Sequence, residues 1–83
     1  MEKNIINTIQ KSLPTLFTVI KKQKKNYFSV DYDNEADVMY IAFDENKKAG
    51  DTEVYSDDIL VRRRDNDLVG LTVLHASSLL KHN

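Results

Sequence analysis

The chain has no cysteine and no tryptophan, and it carries one proline and two glycines in 83 residues. Without thiols it has neither a disulfide framework nor a thiolate metal site, which fits a reducing compartment. No apolar run approaches the ~20 residues needed to cross a bilayer. The opening Met1-Glu2-Lys3-Asn4 leads into a segment interrupted by Gln10, Lys11 and Ser12, unlike the continuous apolar core of a signal peptide. A cytoplasmic chain with no membrane partner is therefore expected. A strong charge of either sign is also lacking. The formal net charge is −1, so there is no global basic field of the kind that draws nucleic acid.

The length allows one domain, residues 1–83. A chain of this size buries only about 60–65% of the surface its unfolded state exposes. Pairing with a copy or a partner is a common source of the missing stability.

Ile5, Ile6, Ile9, Leu13, Leu16, Phe17 and Ile20 recur at spacings of three and four, which predicts a helix with one apolar stripe. Lys3, Lys11, Lys21 and Lys22 fall mostly off that stripe. Pro14 removes a helical hydrogen bond, so the segment reads as one helix kinked at Pro14 or as two short ones. In the second case Ser12 caps the fresh start. Lys21, Lys22, Lys24 and Lys25 close this region, residues 1–25, as cations suit the carbonyl end of a helix.

From residue 26 to 80 the pattern is that of an antiparallel sheet. Phe28, Val30 and Tyr32 alternate with polar residues, giving a half-exposed strand. An acidic turn, residues 33–37, follows. Residues 38–43 are apolar or aromatic throughout, which predicts a central strand covered on both faces. Residues 52–55 read as a short edge strand and 59–64 as the next strand. Asp65-Asn66-Asp67 makes a hairpin turn. Residues 68–74 return, with Gly70 marking a bulge or a close backbone approach. A short helical turn ends the chain. The fold class is α+β: an N-terminal helix packed on a small antiparallel sheet of four to five strands.

The run Val30-Asp31-Tyr32-Asp33-Asn34-Glu35-Ala36-Asp37-Val38-Met39-Tyr40-Ile41 resembles the signature Y-D-x-E-A-D-x-L-Y-I of the prokaryotic domain-of-unknown-function family 2283. Residues 56–61 (SDDILV) and 68–77 (LVGLTVLHAS) are similar to later parts of that family. The resemblance spans roughly residues 27 to 78 and departs at Met39, where Leu is usual, a volume-conserving change. It implies a small protein with an antiparallel sheet and no assigned activity. Some members are encoded beside small toxin-like proteins, which implies an antitoxin-like partner role.

Two constellations can carry chemistry. Asp31, Asp33, Glu35 and Asp37 alternate as carboxylates that suit a hard cation, the arrangement a metal-dependent hydrolase would use. An EF-hand is excluded, because Ala36 replaces the loop glycine and Ala42 the closing glutamate. The plainer reading is a hairpin turn whose side chains bond nearby N–H groups. Arg62, Arg63 and Arg64, with Lys21, Lys22, Lys24 and Lys25, can bind phosphates, and nearby aromatics can stack single-stranded bases. Set against that, Arg63 faces away from the other two on a strand. Acids on neighbouring strands, or protection of a sheet edge, explain the same residues. His75 and His82 have no partners in sequence that define a catalytic triad, and no cofactor is called for.

The preferred reading is a non-enzymatic interaction module, a homo-oligomer or the partner of a small protein. Its surface is expected to include Val38, Tyr40, Ala42, Leu60, Leu68 and Leu74.

Overall fold

The computed structural model describes residues 1–23, 26–46 and 50–81. Helix α1 (Glu2–Lys21) is continuous, with Pro14 inside it. Glu2 in its first turn and Lys21 in its last both complement the helix dipole. Ser12 does not cap a second helix. Its hydroxyl donates to the Thr8 carbonyl (3.3 Å), as Thr8 donates to Asn4 (2.8 Å) and Thr18 to Pro14 (2.8 Å). Such bonds to the preceding turn let hydroxyl residues stay inside a helix, and here they flank the proline on both sides.

Five strands follow: β1 (Ser29–Asp33), β2 (Val38–Ala42), β3 (Asp51–Val54), β4 (Ile59–Arg64) and β5 (Asp67–Leu74), closed by a 3₁₀ helix, Ala76–Lys81. All pairings are antiparallel, in the order β1-β2-β5-β4-β3. The fold is therefore α+β, as the patterning predicts. Two details differ. The centre of the sheet is β5, and β2 lies between it and the edge strand β1. Nor is β2 covered on both faces, since Tyr40 is 39% exposed.

Turns fall where small polar residues permit them. Asp37 and Asp65 take the left-handed conformation (φ 57° and 58°), and Asp65 opens the two-residue link between the paired residues Arg64 and Asp67. The β4–β5 register shifts between Arg62 and Arg63. At Gly70 beside this shift, a Cβ would stand 2.8 Å from the Ile41 carbonyl oxygen, so the two backbones approach as closely as they do only because no side chain is there.

The core is thin. Val38, Phe43, Val61, Val69 and Val73 are buried, and Phe28 meets Phe43 with ring centroids 6.0 Å apart. Among the described residues no large side chain is fully buried. The expected packing of the helix stripe on the sheet is not realised. Ile5, Ile6, Ile9, Leu13 and Phe17 remain 50–65% exposed, and no residue of α1 is buried. Only Leu16, Val19 and Ile20, near its end, are half-buried.

Candidate functional site

The acidic turn is built as a structural tie. Asp33 Oδ1 accepts from the Glu35 and Ala36 N–H groups (3.0 and 3.1 Å), closing the turn. Asp37 reaches much further. Its Oδ1 accepts from the Tyr32 hydroxyl (2.7 Å) and the Ser77 N–H (2.9 Å), and its Oδ2 from the Ser77 hydroxyl (2.7 Å). The Asp37 carbonyl also accepts from the Ala76 N–H (3.0 Å). One residue thereby joins the β1–β2 turn to the start of the 3₁₀ helix.

These bonds set the electrostatics. The Ser77 hydroxyl, then the Tyr32 hydroxyl and the Ser77 N–H, hold the Asp37 carboxyl below its ordinary range, and the charge of His75 helps. Partial desolvation opposes them. The same bond pushes the Tyr32 phenol up, because its proton is held by the Asp37 carboxylate, with desolvation and the charges of Asp37 and Asp33 adding to the effect.

The carboxylates do not converge as a cation site. Asp33 and Asp37 are directed to backbone and hydroxyl donors, Asp31 pairs with Tyr40 on the strand, and Glu35 is exposed. Among the described residues no group of three or more His, Asp or Glu is placed to hold a metal ion. His75 stands exposed at the end of β5 with φ 53°. His82 lies outside the described residues.

The arginines do not form one patch either. Arg62 shares the Tyr40 face and lies over Gly70, 3.6 Å from where a Cβ would stand. Arg63 projects to the other face and pairs with Glu53 at 3.5 Å. Arg64 forms an ion pair with Asp44, which is 5% exposed and also accepts from the Asn46 N–H (3.0 Å). Edge protection is not their role, because β4 is paired on both sides. Lys21 and Lys22 are at the exposed end of α1, while Lys24 and Lys25 lie outside the described residues.

The register brings most of the expected interaction surface together. Val38 pairs with Leu74, and Tyr40 and Leu60 both pair with Thr72, so these residues share one face with Ala42. Leu68 lies past the register shift and lines a cavity with Lys22, Phe43 and Arg63 instead. Val38 and Ala42 are already buried within the single chain and serve as core. That face also carries Asp31, Thr72 and Arg62. The opposite face holds Val30, Tyr32, Met39, Ile41, Leu71 and Ile59 in adjacent register, none of them buried, around the buried Val61 and Val73, with the Arg63–Glu53 pair at its β4–β3 end.

Sequence reasoning missed Ser77 and Asp44. Ser77 and Asp37 lie within the first and last of the quoted family-like segments, which is the one sign in the sequence that the two belong together. Asp44 carries no local sign, since its partner lies 20 residues away.

Among the described residues no helix is long and apolar enough to cross a membrane. The model of a family described as "Protein of unknown function (DUF2283)" matches residues 29–77. No curated protein and no solved structure matches the chain.

Proposed function

The chain belongs to the DUF2283 family of proteins of unknown function, and from that premise we propose that it is a non-enzymatic protein-interaction module whose contact element is α1. The observation that carries this reading is the apolar stripe left in solvent. Isolated apolar side chains on a surface are ordinary, but five aligned on one helix, each at least half exposed, form a continuous patch. Most helices in proteins owe their stability to packing of such an amphipathic face rather than to intrinsic propensity. The family match begins at residue 29, so α1 is an addition to the matched sheet. The constellations that suggest chemistry are occupied otherwise: Asp33 and Asp37 in ties, Arg63 and Arg64 in ion pairs.

The test is the mass of the assembly. The tagged chain is purified from its native cells under nuclease treatment, and light scattering and mass spectrometry report what it carries. A mass above that of one chain, lost on Leu13→Asp, is the expected result. A bare monomer, with wild type and Leu13→Asp alike, would remove the proposal.

A further inference from the structure

We infer that the partner is a second copy of this chain, each α1 stripe lying across the Val30–Met39–Ile41–Leu71 face of the other sheet. This rests on the interaction reading above and goes beyond it by naming the occupant.

The first argument is area. The chain exposes 6803 Å² of accessible surface. A compact monomer of 9.6 kDa exposes about 5,100 Å² by the usual scaling of surface with mass. The excess is about 1,700 Å², within the ~1,000–2,500 Å² that each chain of an obligate homodimer buries. The radius of gyration agrees: 13.9 Å, against about 12 Å for a compact chain of this length.

The second argument is that an apolar stripe buries on contact about as much of its partner as of itself, so a second apolar surface must be covered as well, and the sheet supplies it. Val30, Met39, Ile41 and Leu71 lie on the β1–β2–β5 part of a face whose charged pair, Arg63 and Glu53, sits at the β4–β3 end, whereas on the opposite face Asp31 stands within β1 itself.

The third argument is symmetry. A different protein would have to bring one surface for the stripe and another for the sheet. A second copy brings both at once, because stripe and face are each other's complement, and a two-fold axis then makes the two contacts identical. Within one chain Ile5, Ile6, Ile9, Leu13 and Phe17 stay at least half exposed and Met39, Ile41 and Leu71 are only half-buried, so neither surface is fully covered.

The absence of cysteine makes the test clean. Ile9→Cys protein is mixed with Ile41→Cys protein, or with Val30→Cys at the exposed edge should Ile41→Cys fail to fold, and oxidised. Wild-type mass is measured by light scattering. The expected result is a mass of two chains and a disulfide joining the Ile9→Cys chain to the sheet variant in preference to either homodimer. A dimer cross-linked mainly between two Ile9→Cys chains would mean helix-to-helix pairing and would overturn the arrangement. A monomer whose Ile9→Cys/Ile41→Cys form closes within one chain would mean that α1 folds back on its own sheet. A monomer that binds a different protein one-to-one, or that binds vesicles of anionic lipid through α1, also overturns the second copy. The one-to-one protein complex leaves the interaction reading standing, whereas a monomer binding no protein removes both.

Discussion

The Asp37 carboxylate holds Ser77 twice, from its N–H at 2.9 Å and from its hydroxyl at 2.7 Å, across forty residues of chain. This contact fastens the end of β5 and the 3₁₀ helix to the turn between β1 and β2. Because Asp37 sits at φ 57°, its replacement tests two things, the acceptor and the backbone. Asparagine tolerates the left-handed region and keeps one carbonyl acceptor, whereas alanine has neither advantage. The expected order of melting temperature is wild type, then Asp37→Asn, then Asp37→Ala, with Ser77→Ala between wild type and Asp37→Ala. Thermal unfolding by circular dichroism checks it, and an Asp37→Ala as stable as wild type would show that the tie contributes nothing.

The same residue predicts how stability follows pH. The folded Asp37 carboxyl titrates below its unfolded value, so its contribution is present above the ordinary aspartate range of about 4 and is lost as pH falls through the lower folded value. Tyr32 behaves oppositely. Its folded value is raised, so its contribution is complete below the ordinary tyrosine value of about 10 and is lost as pH climbs beyond it. Urea midpoints measured from pH 3 to 11 are expected to fall at both ends, and Tyr32→Phe is expected to flatten the alkaline limb. An unchanged alkaline limb in Tyr32→Phe would remove the phenol from the explanation.

Much of the sheet was legible, and the reasons are local. Residues 59–64 form β4 as predicted, because turn residues bracket a short run at both ends. Gly70 marks both a register shift and a close approach. What stayed hidden is non-local. The insertion of β5 between β2 and β4 depends on pairing between Val38 and Leu74, which no sequence period encodes. The helix stripe was plain from its spacing, yet spacing says that a face is apolar and not what lies against it. The carboxylates of residues 31–37 were ambiguous for a related reason. Alternating acids look alike whether they serve a cation or a turn, and only the position of Ser77 shows which.

Gly70→Ala tests the close approach. The added methyl would stand 2.8 Å from the Ile41 carbonyl oxygen, which is backbone within a paired strand and has little room to move. Overpacking of this kind costs about 1–3 kcal/mol. The measurement is the urea midpoint, expected to drop with an unchanged slope. A variant as stable as wild type would mean that β2 and β5 separate easily here.

Asp44→Ala removes the acid beneath Arg64 and the acceptor for the Asn46 N–H. Asp44 is buried while the Arg64 side chain is about one-third exposed, so water recovers part of the loss on the arginine side. A hydrogen bond to a charged group contributes about 1.5–3 kcal/mol, and the expected cost falls in the lower half of that range. Asp44→Asn should recover the N–H bond and cost less. Equal losses in the two variants would place the stabilisation in the ion pair alone.

Leu13→Asp separates packing within a chain from packing between chains. Leu13 is half exposed in the single chain, so a polar replacement there costs an isolated monomer little, within about 0.5 kcal/mol for an ordinary surface site. If the stripe is the contact surface, association adds stability by mass action, and the wild-type melting temperature rises with protein concentration. Leu13→Asp is then expected to melt lower than wild type at high concentration and to show no concentration dependence of its own. The two curves converge on dilution, where association is lost in both. Scanning the melting temperature of each protein over a hundredfold range of concentration is enough to see this. Parallel, flat lines for both would show that α1 meets nothing in solution and that its exposed stripe is stable by itself.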